Sequence, residues 1–367
     1  MDLIAQLQEI LGPRHVLTGA DAEKYGRDWT GKYCATPLAV LRPADREEVS
    51  AILRLAHEAR TPVVPVSGNT GLSGGAMADG ALMLSLERMN RIREIRPETR
   101  IAIVEAGVIL SSLHDAADAE GLIFPLIFGA RGSAMIGGVL STNAGGSNVL
   151  RYGNTRALCL GLEVVLPDGR VMELMSELRK DNTGYDLKDL FIGAEGTLGL
   201  ITAAVLKLEP KPRAYATAMV ALSALPDALT LLNRLQEETG GAVEAFEYMP
   251  SGYMARLAAM RPDLHLPFDR NHDVNILVEI GATAPRDATP AADGSLPVVT
   301  QLEETLAAMM EEGELLDAVV ARSEAQRESI WARREAAAEI TFSRRPIVDN
   351  DIALPLDRVA AFLERME

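Results

Sequence analysis

The chain has 367 residues, 48% of them hydrophobic and 24% charged, which places it among globular proteins and excludes a disordered one. Its formal net charge of −16 argues against nucleic acid as a partner, since such binding rests on clustered Lys and Arg. Two cysteines, Cys34 and Cys159, make no disulfide framework, no stretch approaches the ~18 apolar residues of a membrane span, and no basic leader opens the chain; a reducing, cytoplasmic location is expected.

In chain order, residues 1–11 read as an amphipathic helix stopped by Gly12-Pro13. A strand at 39–43 leads to Asp45 and, three residues on, Glu48. That pair resembles a capping box for a helix with Val49, Ile52, Leu53 and Ala56 on one face. Residues 62–65 form a short strand that runs into a glycine-dense loop, 65–75. Strands follow at 81–86 and 101–107, with a polar turn around Pro97-Glu98-Thr99 between them, then a helix at 110–120. A second glycine-dense stretch spans 137–146. Residues 161–174 read as a hairpin turning at Pro167-Asp168-Gly169-Arg170, and 197–208 as a long strand. The proline-broken segment Glu209-Pro210-Lys211-Pro212 is the expected domain boundary, giving domains at 1–213 and 214–367. Beyond it come a strand at 216–222, a helix at 227–239, strands at 243–249 and 275–280, and a helix at about 297–311. The order strand–helix–strand–strand–helix–strand predicts a ferredoxin-like α+β cap.

The two glycine stretches carry the chemistry. Each offers backbone N–H groups without Cβ atoms in the way, flanked by short hydroxyl and amide side chains, which suits a phosphate. Two cradles in one domain suit a dinucleotide. The first lacks the Lys-Ser/Thr of a Walker loop, and its glycines fall at Gly68, Gly71, Gly74 and Gly75 instead of in G-x-G-x-x-G order. No acidic residue stands where a nicotinamide site needs one.

The run from Val63 to Gly75, the segment 125–133, Ile136-Gly137-Gly138, Thr142-Asn143-Ala144-Gly145-Gly146 and Arg151-Tyr152-Gly153 together resemble the FAD domain of the vanillyl-alcohol oxidase superfamily. Segments 178–187 and 190–199 are similar to D-2-hydroxyglutarate dehydrogenases and to the related D-lactate dehydrogenases and glycolate oxidase flavoproteins. The resemblance implies a p-cresol-methylhydroxylase-type FAD domain of two α+β subdomains, followed by the cap. It implies FAD contacts from Pro65, Ser67, Gly68, Asn69, Thr70, Gly71, Leu72, Gly74 and Gly75. Pro125, Gly129, Gly132, Ser133, Gly137, Gly138, Thr142, Asn143, Gly145, Gly146 and Tyr152 would line the other side, and a strand carrying Glu195, Gly196, Gly199 and Ile201 would turn its glycines toward the cofactor. Asn69 stands where some members bear a flavin-linked histidine, so non-covalent FAD is expected. Arg334 matches the arginine that holds a substrate carboxylate, although Trp331-Ala332-Arg333-Arg334-Glu335 also reads as a solvated helix face. The 181–186 segment lacks the ligand pattern of a calcium loop and reads as a structured turn.

The resemblance implies oxidation of a D-2-hydroxy acid of the lactate, glycolate or 2-hydroxyglutarate class. Electrons would pass to a protein or quinone acceptor such as an electron-transfer flavoprotein or cytochrome, and a homodimer is among the expectations. The family's divalent metal and catalytic base belong to a His-x-His-x-x-Asp-Gly-Asn-x-His stretch that this chain lacks, and none of His15, His57, His114, His265 and His272 has ligand spacing. The expectation is therefore no metal site and a cap truncated at its C-terminus. Ala338 and Asp349 stand where the hydroxyglutarate enzymes carry a threonine and a lysine, and an anion there opposes a second substrate carboxylate. A flavoprotein reductase of UDP-sugars and a flavin-binding module without catalysis are the alternatives.

Overall fold

Two units divide the chain, one of Met1–Gly146 with Tyr152–Lys211 and one of Ser147–Arg151 with Pro212–Glu367. The computed structural model describes residues 2–344, 347 and 351–366. Among these residues no helix is long and apolar enough to cross a membrane.

The first unit holds two main sheets. One has the order β1 (Val16–Leu17), β2 (Ala39–Leu41), β4 (Leu82–Ser85), β3 (Val63–Val66), with β2 and β3 both parallel to β4. Helices α1 (Leu3–Leu11) and α2 (Arg46–Glu58) close it, burying Leu7, Leu11, Val49, Ile52, Leu53 and Ala56. The cap of α2 forms as its sequence dictates: Asp45 accepts from the Glu48 N–H at 2.8 Å, and the Glu48 carboxylate accepts from the Ala44 N–H at 2.6 Å.

The second sheet is antiparallel, in the order β5 (Ile92–Arg96), β6 (Ile101–Glu105), β10 (Leu200–Lys207), β8 (Cys159–Val165), β9 (Val171–Leu174). One face packs on α3 (Leu110–Asp118) and α4 (Ile136–Ser141) through Leu110, Leu113, Ala117, Ile136, Val139 and Leu140. Its buried carboxylates are paired. Glu105 takes Arg91, and Glu163 takes Arg46 at 2.8 Å and the Thr202 hydroxyl at 2.9 Å. A two-stranded ribbon of β7 (Leu122–Ile123) and β11 (Glu209–Pro210) completes the unit.

In the second unit four antiparallel strands, β12 (Ala214–Leu222), β13 (Val243–Pro250), β14 (Val274–Ala282) and β15 (Asp317–Val320), adopt the order β13-β14-β12-β15. That is the expected ferredoxin-like order, with the central strand β14 buried along its whole length and β12 at every residue but Tyr215. Alternation sorts their side chains. Ala216, Ala218, Val220, Ile276 and Val278 face α7 (Asp227–Thr239) and α10 (Pro297–Glu311). Met219, Ala221, Ala245, Met249 and Leu277 face α8 (Ser251–Met260), α11 (Glu324–Glu335) and α12 (Ala337–Phe342).

The structure corrects three readings. The 197–208 strand begins only at Leu200, because Gly193, Glu195 and Gly196 turn through φ of 84°, 51° and 79°. Residues 136–141 inside the second glycine stretch are helical. Among the elements not anticipated are β5, whose alternation a bulge at Ile92/Glu94 interrupts, and α8.

Candidate functional site

Three loops of the first unit close on one another. A Cβ built on Gly68 would stand 2.0 Å from the Ser133 carbonyl oxygen, and one on Gly138 would stand 3.0 Å from the Ser67 Cβ. Gly196 packs the same way on Pro65 (2.5 Å), Gly193 on Asn143 (3.4 Å) and Gly75 on the Glu195 carboxylate (3.4 Å). Backbone bonds fix the arrangement, with Glu195 N–H donating to Ser141 at 2.9 Å and Gly193 N–H to Leu140 at 3.1 Å. The segments 65–75, 128–146 and 193–199, far apart in sequence, therefore form one cluster. Each carries one non-glycine residue in the left-handed region: Asn69 (φ 50°), Asn143 (48°) and Glu195 (51°). Such strain concentrates where surrounding structure over-determines a site.

The glycines fall into two kinds. Gly68, Gly137, Gly146, Gly196 and Gly199 are required by the fold, since a Cβ on each would stand within 3.0 Å of other atoms. Gly71, Gly129 and Gly132 are not. Their φ values lie outside the left-handed region, and a Cβ on any of them would meet nothing within 4 Å. The backbone N–H groups from Gly68 to Gly75 donate to no described group, and the hydroxyls of Ser67, Thr70 and Ser133 have no described partner. Open glycines beside undonated N–H groups make a cradle for an anionic ligand. The donor set and the space fit a dinucleotide diphosphate.

Other expected residues serve the chain itself. Pro125 and Ile201 are buried, and Tyr152 packs half-buried against the main core. The Thr142 hydroxyl donates to Gly138 at 3.0 Å, while the Asn143 carboxamide oxygen accepts from the Arg156 N–H at 2.9 Å. Gly199 faces Val164 and Phe191, so neither it nor Gly196 turns toward open space as expected. Gly74, at φ 75°, lies against the Tyr33 ring; Leu72, Gly75, Gly129, Gly132 and Gly145 are exposed.

One component was missed. Residues 27–34 form a loop under the first glycine segment, held through the Asn69 carboxamide, which donates to Arg27 at 3.0 Å, and through the Tyr33 ring below Gly74. Asp28 organises it by accepting from the N–H groups of Thr30 (3.1 Å) and Tyr33 (2.9 Å) and from the Thr30 hydroxyl. Burial pushes the Asp28 carboxyl up, but these hydrogen bonds outweigh it and leave the group below its ordinary value of 3.8. Its contribution to stability is therefore complete above that value and lost as pH falls through the lower folded value. Asp28→Ala is expected to lower thermal stability by about 1–2 kcal/mol at pH 7. The difference from wild type should vanish in acid, which melting curves across pH would show.

In the second unit the arginines of α11 separate by what they touch. Arg327 is held bidentately by the buried Glu279 (2.7 and 2.8 Å) and by Glu324. Arg333, buried, donates to the carbonyls of His265 and Ser329. Arg334 donates only through Nε, to Glu247 at 2.8 Å, and neither of its Nη groups meets a described acceptor. Its side chain is 41% exposed. Ala338, one turn on, is exposed; Asp349 lies outside the described residues.

The metal implied by the family was tested against the donor set. Among the described residues no three His, Cys, Asp or Glu side chains stand together as metal ligands, so no step is derived through one. His272, buried beside Phe268, lies 3.9 Å from Asp317.

Comparison with known proteins agrees with the geometry. The FAD binding domain family matches residues 37–175, and the C-terminal domain of FAD linked oxidases matches 211–367. D-2-hydroxyglutarate dehydrogenase of Stutzerimonas stutzeri (strain A1501) is 35% identical over 367 residues, 100% of this chain and 76% of that protein. The Xanthomonas citri pv. viticola enzyme is 37% identical over 94% of this chain and 70% of its own length. The mitochondrial Bos taurus enzyme is 34% identical over 98% and 64%. Among solved structures, alkyldihydroxyacetonephosphate synthase superposes with a TM-score of 0.70 at 19% identity, covering 92% of this chain and 67% of that one. Substrate-bound p-cresol methylhydroxylase gives 0.69 at 17%, covering 89% and 68%. At those identities the likeness establishes the fold, a p-cresol-methylhydroxylase-type FAD domain joined to a cap. The expected truncation gains no support, because the matches run across the cap as well as the first unit. The chain belongs to the FAD-linked D-2-hydroxy-acid dehydrogenases, the family of the D-2-hydroxyglutarate dehydrogenases.

Proposed function

We propose that this chain binds FAD without a covalent bond and oxidises a D-2-hydroxy acid carrying a single carboxylate, of the lactate or glycolate class, to the 2-oxo acid. The observation that carries the reading is the loop from Gly68 to Gly75, whose N–H groups donate to no described group and which holds an open glycine position at Gly71. Those N–H groups, with the hydroxyls of Ser67, Thr70 and Ser133, hold the diphosphate. Gly129 and Gly132 leave room for the remainder of the cofactor. Asn69 offers a carboxamide, which has no nucleophilic nitrogen to attach a flavin, and it is already committed to Arg27. When bound, FAD would supply the two-electron acceptor for the hydride leaving the substrate Cα, while the hydroxyl proton passes to water.

Arg334 receives the substrate carboxylate on its two Nη groups, which meet no described acceptor, a planar bidentate fit that fixes the orientation of the hydroxyl-bearing carbon. Support for a monocarboxylate comes from Ala338 and Asp349, which replace the hydroxyl and ammonium groups that the resemblance assigns to a distal carboxylate. An electron-transfer protein, cytochrome or quinone then takes the electrons. Anaerobic addition of D-lactate, glycolate and D-2-hydroxyglutarate to the purified flavoprotein tests this. Bleaching near 450 nm (about the usual oxidised flavin band) by the first two, and weakly by the third, is expected. A bound flavin that no hydroxy acid reduces would instead identify a flavin-binding module, and protein that purifies without flavin would overturn both readings.

A further inference from the structure

Glu247 has no part in the resemblance, yet it accepts the only described hydrogen bond of the Arg334 guanidinium. It stands on β13, paired with Leu277 of β14, on the face that also carries Ala245, Met249, Met219 and Leu277. The other carboxylate on that face, Glu279, is already paired with Arg327, and a 22%-exposed carboxylate there needs a cation of its own. The cation it takes is Arg334, through Nε and Oε2 at 2.8 Å.

A guanidinium presents two edges to a carboxylate, one side-on through Nε and Nη and one end-on through both Nη groups. Glu247 occupies the first. What remains is the end-on edge, in one orientation, on a pair whose net charge is zero. Of the neighbouring charges, Arg261 is bonded to both Asp263 and Glu339, and Tyr253, which feels Arg334, Arg256 and Glu339, donates its hydroxyl to the Arg333 carbonyl.

We infer that Glu247 is a positioning and specificity-determining residue, which holds Arg334 end-on and neutralises it so that the site takes one carboxylate and disfavours a second. This rests on Arg334 receiving the substrate carboxylate. A monocarboxylate gains the two Nη hydrogen bonds at little electrostatic cost to the site. A dicarboxylate brings a second negative charge near the Glu247 carboxylate, which opposes it.

Calorimetric titration of the FAD-loaded protein with pyruvate and with 2-oxoglutarate tests the inference without relying on turnover. Arg334→Met should weaken pyruvate at least about tenfold, the scale of a charge-assisted bidentate contact. Glu247→Ala frees the guanidinium and should weaken pyruvate about fivefold, the scale of immobilising one flexible side chain. Glu247→Gln keeps an acceptor for Nε and removes the charge. It should hold pyruvate within about twofold while improving 2-oxoglutarate about fivefold relative to it. Wild-type pyruvate affinity in Glu247→Ala, with Arg334→Met impaired, would overturn the inference alone. Wild-type affinity in Arg334→Met would overturn the reading of Arg334 and the inference with it. Should Glu247→Ala lose its flavin spectrum through misfolding, Glu247→Gln decides: an unchanged ratio of the two affinities overturns the inference.

Discussion

Gly71→Val is expected to leave the protein folded and to strip it of flavin. A Cβ at position 71 meets nothing within 4 Å, and its φ is one that any residue adopts. The folded apo-protein therefore has no reason to be strained, and its melting temperature should match wild type, within the ~0.5 kcal/mol typical of surface substitutions. The branched side chain would instead fill the space above the undonated N–H groups of the loop, where a diphosphate must approach within hydrogen-bond distance. Loss of several backbone-to-phosphate bonds should raise the dissociation constant for FAD by about a hundredfold, at roughly 1.4 kcal/mol per factor of ten.

Gly68→Ala provides the contrast. There the added Cβ would fall 2.0 Å from the Ser133 carbonyl oxygen, and backbone, not a flexible side chain, must give way. Overpacking of that kind costs about 1–3 kcal/mol and separates the two loops, so melting temperature and flavin affinity should fall together. Fluorescence-quenching titrations of FAD on apo-protein, beside melting curves of the same samples, distinguish the cases. If Gly71→Val bound FAD as wild type does, the loop would not be the diphosphate cradle.

This contrast also marks what the sequence could disclose. Glycine density, hydroxyl neighbours and the strand before them are local properties, and they point to segments 65–75 and 137–146 directly. Which glycines serve the fold is not local. Gly137 is needed because Ala106, far off in the chain, lies against it, and Gly71 is spare because nothing does. Helix α4 was hidden for a related reason. Gly137-Gly138 costs roughly 1 kcal/mol per residue in helix propensity, and only burial of Ile136, Val139 and Leu140 against the sheet outweighs it.

The 27–34 loop left no readable signal, since Asp28 acts through backbone N–H groups within the loop and the loop itself is held by the distant Asn69. In the cap, the apolar runs of β12 and β14 and the helical spacing of α7 and α10 were legible in order, although α8 between β13 and β14 was not. It could not separate Arg333 from Arg334. The carbonyl of His265 buries the first, and the carboxylate of Glu247 holds the second at the surface. The family resemblance selected Arg334, and the structure adds the physical distinction: that side chain alone on α11 keeps both Nη groups without a described partner.

The largest stability effect is expected at Arg327 and Glu279. Glu279 is 4% exposed, on the central strand β14 opposite Thr217 of β12. Four donors surround it: the Thr217 hydroxyl at 2.6 Å, Trp331 Nε1 at 2.7 Å, and Arg327 through Nε and Nη2. Arg327 in turn lies over the Tyr215 ring, 4.1 Å from its centroid. Burial, with Glu244 and Glu279 nearby, pushes the Tyr215 hydroxyl well above its usual range, so the ring remains neutral beneath the guanidinium.

Arg327→Ala leaves the Glu279 carboxylate buried with two neutral donors and no cation. Breaking such a pair from one side costs about 3–5 kcal/mol, and Glu279 is covered well enough for that range to apply. In a unit of this size the melting temperature should drop by roughly 6–20 °C, at about 2–4 °C per kcal/mol. Replacing both partners, with Glu279→Met and Arg327→Met together, should recover most of that loss, since apolar groups of similar volume need no compensating charge. The cycle discriminates between two accounts of the same contacts. If the double variant is as unstable as Arg327→Ala, the hydrogen bonds of Thr217 and Trp331 to the carboxylate hold the sheet to α11. If it recovers, those bonds serve mainly to accommodate a charge that the fold does not require.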